Sequence, residues 1–320
     1  MTNRIKIFIA FLLIGNLFAR DWVEVNSSSP SEPSISAQSS SQESVKIFFE
    51  LSGYFIEKTD DGNKITLPGG VSILEKGSPD LPIITRSIQI PDLAQMELKV
   101  LNSNFIDIPL DDVIPSKGNL TRDIRIQDIP YEKGSAYESD SFFPKEISYL
   151  RQPHIIRTKR GQTVVLQPIQ YNPIRAVLRV YTSMTLEISS NGISSLNPLV
   201  RYPDRLSGVR EMEAIYKEHF INYASTTDRY VPLDEDGSML IICYGPFLDA
   251  MQPFIEWKRK KGMQTEIVNV SDIGDADAIK SYVEEYYYSY GLNFLLLVGD
   301  IAQIPSSRFS EGAGSNSPSD

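Results

Sequence analysis

From Val45 onward, apolar and polar positions alternate with a period of two, beginning with Val45, Ile47, Phe49 and Leu51. That period places one face of a strand inward and the other outward. Lys64–Leu67 and Val71–Leu74 flank Pro68-Gly69-Gly70, a turn between short strands. Ile83–Ile90 and Met96–Ile108 read as further strands. The longest alternation runs Ile174, Ala176, Leu178, Val180, Thr182, Met184, Leu186, Ile188, with Arg175, Arg179, Tyr181 and Glu187 on its other face. It predicts a half-buried antiparallel strand long enough to bend or to serve two sheets. Many short strands with Pro/Gly turns predict a β-sandwich. Over 211–223 the period becomes helical through Met212, Ile215, Tyr216, His219 or Phe220, and Tyr223.

The pattern changes again at Met239–Tyr244, a continuous apolar run that predicts a strand buried on both faces. A helix follows through Phe247, Leu248, Met251, Phe254 and Ile255, stopped by Gly262. Gln264–Val270 is a second strand. Asp275 is placed to cap a second helix carrying Ala276, Ile279, Val283, Tyr287 and Tyr290 on one face, and Phe294–Val298 is a third buried strand. This βαβαβ order predicts an α/β fold with a parallel sheet and right-handed crossovers. Three strands and two helices make an incomplete sheet, so the chain reads as the N-terminal part of a longer protein.

The first 19 residues have a short positive start, Arg4 and Lys6, an apolar stretch too short to span a membrane, and Ala19 at the expected cleavage point. They read as a secretory signal peptide. Residues 20–44, with NSSSPSEPSISAQSSSQES at 26–44, read as a Ser-rich flexible spacer. The β-rich domain with its C-terminal helix is expected over 45–229, and the α/β domain over 230–320. Between them the small, polar and acidic stretch 224–237, containing Arg229 alone among basic residues, reads as an exposed linker.

With 31 basic and 41 acidic residues among 320, the net charge is −10, which argues against nucleic acid as a partner. One cysteine excludes an intramolecular disulfide framework, and two histidines leave little for metal chemistry. Cys243 falls inside the first apolar strand, where a thiol is a small hydrophobe and a poor nucleophile. His154 and His219 read as packing residues. The group Arg157, Lys159, Arg160 reads as a solvated turn. Asp300, at the carboxyl end of the third strand, is the strand-end candidate for chemistry, with a structural role in its loop as the competing reading. The first strand is followed neither by G-x-G-x-x-G nor by a P-loop.

Several segments together resemble the gingipain family of cysteine peptidases. In the second domain these are MLIICYG at 239–245, PFIEWKRKKGMQTEIVNV at 253–270, FLLLVGDIAQIPS at 294–306, and the closing Ser319-Asp320. Gly77-Ser78-Pro79-Asp80-Leu81-Pro82, Ile90-Pro91 and Pro168-Ile169-Gln170-Tyr171-Asn172-Pro173 resemble the same family's propeptide.

The resemblance implies a secreted or cell-surface zymogen whose propeptide acts as an intramolecular inhibitor, with protein or peptide substrates cleaved after Arg or Lys. It implies a caspase-like catalytic domain whose nucleophilic Cys and His lie beyond Asp320, so that no residue of this chain is catalytic. It also implies maturation after a basic residue at the junction, which Arg229-Tyr230 matches. A prodomain residue is expected in the specificity pocket, with Lys117, Arg122, Arg125 and Lys133 as candidates. No cofactor is required for the chemistry. Calcium is an expected structural ion, and Asp320 is a candidate ligand. The alternatives are a non-enzymatic adhesion protein with a degenerate peptidase-like domain and a cell-surface processing peptidase of the secretion machinery.

Overall fold

The computed structural model describes residues 20–40, 43–121, 123–200, 210–223 and 237–305. The signal segment with Ala19, the candidate Arg122, the junction Arg229-Tyr230, and Asp320 lie outside the described residues.

Among the described residues, thirteen strands precede the first α-helix. They are β1 (Arg20–Glu24), β2 (Ser34–Ser40), β3 (Ser44–Glu50), β4 (Gly53–Thr59), β5 (Gly62–Thr66), β6 (Val71–Ser72), β7 (Pro82–Ile90) and β8 (Ala94–Pro109). There follow β9 (Ser148–Leu150), β10 (His154–Ile156), β11 (Lys159–Leu166), β12 (Ile169–Asn172) and β13 (Val177–Ile193). One sheet has the order β12-β13-β3-β2, with β8 also pairing β13. Another runs β10-β11-β7-β6, with β9 on β11, and β1-β4-β5 form a third, smaller sheet.

The alternation explains the packing. Val45, Ile47 and Phe49 of β3, Leu178, Val180, Met184, Leu186 and Ile188 of β13, Ile84 and Ile88 of β7, and Val164 and Leu166 of β11 form one buried cluster. Each such side chain stabilises the fold by about 1.5–3 kcal/mol relative to exposure. This is the β-sandwich that the period of two predicts.

Several local expectations are corrected. The stretch 20–44 is not a flexible spacer. β1 pairs residue for residue with β4, and β2 pairs with β3. Val23, Val25, Ile35 and Ala37 pack against the core, so a few apolar residues suffice where main-chain pairing supplies the rest. The long alternation does not start as a strand at Ile174, which is 58% exposed, because Ala176 has a φ of 51° and turns the chain into β13. β13 does not serve two sheets. Along one edge it pairs β12 and then β3, and β8 follows its other edge with bulges.

Arg157, Lys159 and Arg160 are not a solvated turn. Arg160 is fully buried, and its guanidinium donates to the carbonyls of Asn197, Pro91, Ala94 and Leu196 at 2.6–3.0 Å. Lys159 stands over the Tyr216 and Tyr223 rings.

The helix α1 (Arg210–His219) is shorter than 211–223. It stops because Phe220 and the residues after it take partners on β7: Phe220 bridges Ser87, and Ile221 N–H donates to the Ser87 carbonyl at 3.0 Å.

The second unit contains β14 (Ser238–Cys243), α2 (Leu248–Lys260), β15 (Gln264–Asn269), α3 (Ala276–Tyr290) and β16 (Phe294–Val298). The sheet order is β15-β14-β16, all parallel. β14 is central and buried throughout. Met239, Ile241 and Cys243 pack towards α2, and Leu240 and Ile242 towards α3. The Asp275 carboxylate accepts from Ala278 N–H at 2.9 Å and caps α3 as its position predicts. Tyr290 is not on the buried face, being 70% exposed; Tyr286 takes that place and donates to Glu266 at 2.9 Å. β16 is not buried on both faces. Leu295 and Leu297 are exposed on the side facing α3, while Phe294, Leu296 and Val298 pack towards α2.

Candidate functional site

Two regions bear on function. The first is the connection from β8 to β9, which leaves the sandwich and returns to it through a narrow neck. Ser116 N–H donates to Ser78, Gly77 N–H to Ser116, and Gly134 N–H to Gly77, all at 2.7–2.9 Å. Gly77 has a φ of +82°, and a Cβ there would lie 3.2 Å from Gly134 N, so the close crossing requires glycine. This explains the local sequence Gly77-Ser78-Pro79-Asp80 as a backbone clasp. Asp80 is largely buried, and that burial raises its pKa against the opposing bond from Ser72.

The neck presents residues 117–133 as a surface lobe, in which the candidates Lys117, Arg125 and Lys133 are among the described residues. Lys117 donates to the Ile126 carbonyl at 3.0 Å and lies over the Tyr131 ring. Lys133 pairs with Asp112. Arg125 holds Asp128 at 3.0 Å, and its side chain is 75% exposed. Exposed Ile124 and Ile126 accompany these cations. Among the described residues of the lobe, Asp123, Asp128 and Glu132 balance these three cations.

The second region is the carboxyl end of the parallel sheet. The chain leaves central β14 first to one side and then to the other, with α2 and α3 on opposite faces, which makes the end of β14 a topological switch point. A cleft of about 420 Å³ opens there, lined by Tyr244, Gly245, Asn269, Ser271 and Gln303 among others. Its walls are mainly apolar, with Pro246, Val270 and Ala302 beside the polar groups, and carry no charged side chain. Asn269 accepts from Ser271 N–H at 3.2 Å and shapes one rim.

Asp300 lies at the end of β16. Its carboxylate accepts from Ile301 N–H at 2.7 Å, and its carbonyl accepts from Gln303 and Ile304. These bonds organise the following turn. Cys243 is fully buried, its Sγ lies 3.3 Å from the Tyr244 carbonyl, and burial pushes the thiol pKa up. Neither residue meets a base or a metal-ligand cluster; no group of three or more His, Cys, Asp or Glu suited to a metal occurs among the described residues.

The sequence reads His154 and His219 as separate packing residues, and the structure brings them together at 3.0 Å between Nε2 atoms. Their separation of 65 positions hides that contact from local pattern reading.

The described chain is thus an antiparallel β-sandwich with a surface lobe, followed by a parallel α/β unit with a cleft at its strand ends. The profile of the Propeptide_C25 family matches residues 26–227, and that of peptidase family C25 matches 232–320. Gingipain R2 of Porphyromonas gingivalis strain W83 is 37% identical over 248 residues, covering 75% of this chain and 33% of the relative. Gingipain R1 of strain ATCC 33277 is 32% identical over 318 residues, covering 96% of this chain and 18% of the relative. The solved complex of Porphyromonas gingivalis RgpB pro- and mature domains matches with a TM-score of 0.53 and 34% identity, over 61% of this chain and 100% of the matched one. The chain belongs to the gingipain family of C25 peptidase precursors. It spans about a third or less of the length of these curated relatives.

Proposed function

We propose that this chain is the propeptide and first part of the peptidase domain of a secreted, latent cysteine endopeptidase. The observation that carries the reading is the succession of matches: propeptide over 26–227, peptidase from 232. The interval between them holds Arg229-Tyr230, which supports maturation at that bond.

In this reading, the nucleophilic thiol and its histidine belong to the parent protein beyond Asp320. Cys243 is unsuited to the role because burial raises its pKa and encloses its sulfur. The missing thiolate would attack the peptide carbonyl, the histidine would move the proton, and backbone N–H groups would stabilise the oxyanion. The strand-end cleft beside Tyr244 and Asn269 forms one wall of the region where a doubly wound sheet gathers its chemistry.

The propeptide is the intramolecular inhibitor, and its 117–133 lobe is the segment that reaches the specificity pocket. The complex of RgpB pro- and mature domains supports such an association. Arg122, Arg125, Lys117 and Lys133 remain the candidate basic residues, with preference for Arg or Lys in substrates following from the same pocket. Calcium, with Asp320 among its ligands, would serve as a structural ion only. Export depends on residues 1–19. No helix among the described residues is long and apolar enough to cross a membrane.

The test is expression of the whole parent protein and assay on peptides ending in Arg or Lys. Cleavage abolished by thiol alkylation is the expected result; cleavage that persists after alkylation overturns the reading.

A further inference from the structure

The chain has two histidines, and they form one pair. His154 opens β10 opposite Gly161 of β11. His219 ends α1. The His154 ring stacks over Phe220, and the His219 ring meets the same phenyl edge-on. Gly161 leaves the space for this arrangement: a Cβ there would lie 2.3 Å from Phe220 Cε1 and 2.8 Å from His154 Nε2. The pair therefore sits on the joint between the sandwich and the helix that leads to the linker.

Its chemistry depends on proton count. Nε2 of one ring donates to Nε2 of the other only while one lone pair remains. One added proton preserves the bond, because an imidazolium still donates to a neutral imidazole. A second proton removes the acceptor and sets two positive charges 3.0 Å apart. The surrounding charges do not relieve this. Arg86 of β7, Arg151 before β10 and Glu218 of α1 line the cleft beside His219. Lys159 of β11 lies over the Tyr216 and Tyr223 rings, and Arg157 occupies the β10–β11 turn near Tyr216. Glu213 of α1 is engaged by the Tyr223 hydroxyl. Arg86 is itself paired with Glu32, and among the described residues these cations still outnumber the acids.

We propose that His154 and His219 form an acid-released clasp: double protonation separates them, and α1 loosens from β7 and β10. Burial, and then the charge of His219, hold the His154 pKa below the ordinary histidine value. The undocked joint consequently binds more protons than the docked one. Docking is fully supported above the unfolded histidine value of about 6.5, and is lost as pH falls from there through the lower value of docked His154.

The experiment follows the two imidazoles by NMR in the 320-residue chain from pH 8 to 5, with hydrogen exchange of 210–223 read in parallel. The expected result is a coupled pair with His154 titrating low. Protection of 210–223, corrected for intrinsic rate, falls relative to β3 and β13 with a slope approaching tenfold per pH unit at about one proton. His219→Gln removes that pH response. Independent titration of the two rings, protection unchanged to pH 5, or an unaltered response in His219→Gln overturns the proposal. The NMR result does not depend on a variant folding.

Discussion

The Asn222 side chain pairs with the main chain of Gln89 as a peptide unit would. Its Oδ1 accepts from Gln89 N–H at 2.7 Å, and its Nδ2 donates to the Gln89 carbonyl at 2.9 Å. A side-chain amide thus extends the pairing of β7 just beyond α1. Asn222→Ala removes both bonds and leaves a part-buried donor and acceptor to find water. The expected cost is about 1–3 kcal/mol, measured by chemical denaturation of the sandwich. Exchange should increase first in 210–223, because that segment loses its anchor while β3 and β13 keep theirs.

Gly161→Ala tests the same joint by volume. The added methyl collides with Phe220 and His154 on an already paired strand, at the 2.3 and 2.8 Å approaches of its Cβ. Phe220 must leave its pocket or β11 must shift. Overpacking of this kind costs about 1–3 kcal/mol. The loss should be present at pH 8, which separates it from the effect of protonating the histidines. Wild-type stability in this variant would show that Phe220 is not seated over Gly161.

Arg160 carries a different load. It is a fully buried cation with four carbonyl acceptors, on the β7–β8 turn and on the 196–197 segment. Arg160→Met keeps most of the apolar stem and deletes every donor. Four carbonyls then lose a charge-assisted partner. The expected destabilisation is about 3–5 kcal/mol in a urea titration. Arg160→Lys should recover part of it, since an ammonium has three donors but cannot span the same fork.

Arg160 also shows where sequence reading runs out. Its neighbours Arg157 and Lys159 form a basic turn by composition, and only the tertiary position of 91–94 and 196–197 makes the guanidinium an internal strut. The sandwich itself was legible, because Val45–Leu51 and Leu178–Ile188 keep one apolar face through a whole strand. The βαβαβ order was legible for a similar reason: Met239–Tyr244 is apolar throughout, and Asp275 and Gly262 mark helix ends. β1 and β2 were hidden because an edge strand in a Ser-rich stretch draws on main-chain pairing and a few side chains, Val23, Ile35 and Ala37, too sparse to make a pattern. The histidine pair was hidden because its partners meet through β10 and α1, which no local period connects. Asp300 was legible as a strand-end residue, and the structure gives its carboxylate a turn to hold.

Cys243 offers a test of the proposed catalytic assignment. Its sulfur is enclosed between β14 and α2, and burial disfavours the thiolate. In the native 320-residue chain, alkylation by iodoacetamide should run at less than about a tenth of the rate in urea, read by mass spectrometry. In the whole parent protein, Cys243→Ala should preserve thiol-dependent cleavage and lower stability by about 1–2 kcal/mol. Loss of cleavage in a variant that remains folded would return the nucleophile to this strand and contradict the reading of the burial.

The junction makes the most direct prediction about maturation. In the whole protein, Arg229→Ala removes the basic residue that stands between the two family matches, at 26–227 and 232–320. A protease reading a guanidinium in its pocket loses the contact that selects this bond, and a buried charge partner left empty typically costs several kcal/mol of transition-state binding, or at least about a hundredfold in rate. The precursor should therefore accumulate at full length, or be cut elsewhere, with the change visible by gel and by N-terminal sequencing. Arg229→Lys distinguishes the two specificities within the same design. Cleavage retained with Lys points to a pocket that reads charge alone, and cleavage lost points to one that reads the planar fork of arginine. A mature N-terminus at Tyr230 in Arg229→Ala would mean that neither feature selects the bond, and the assignment of the junction would fall.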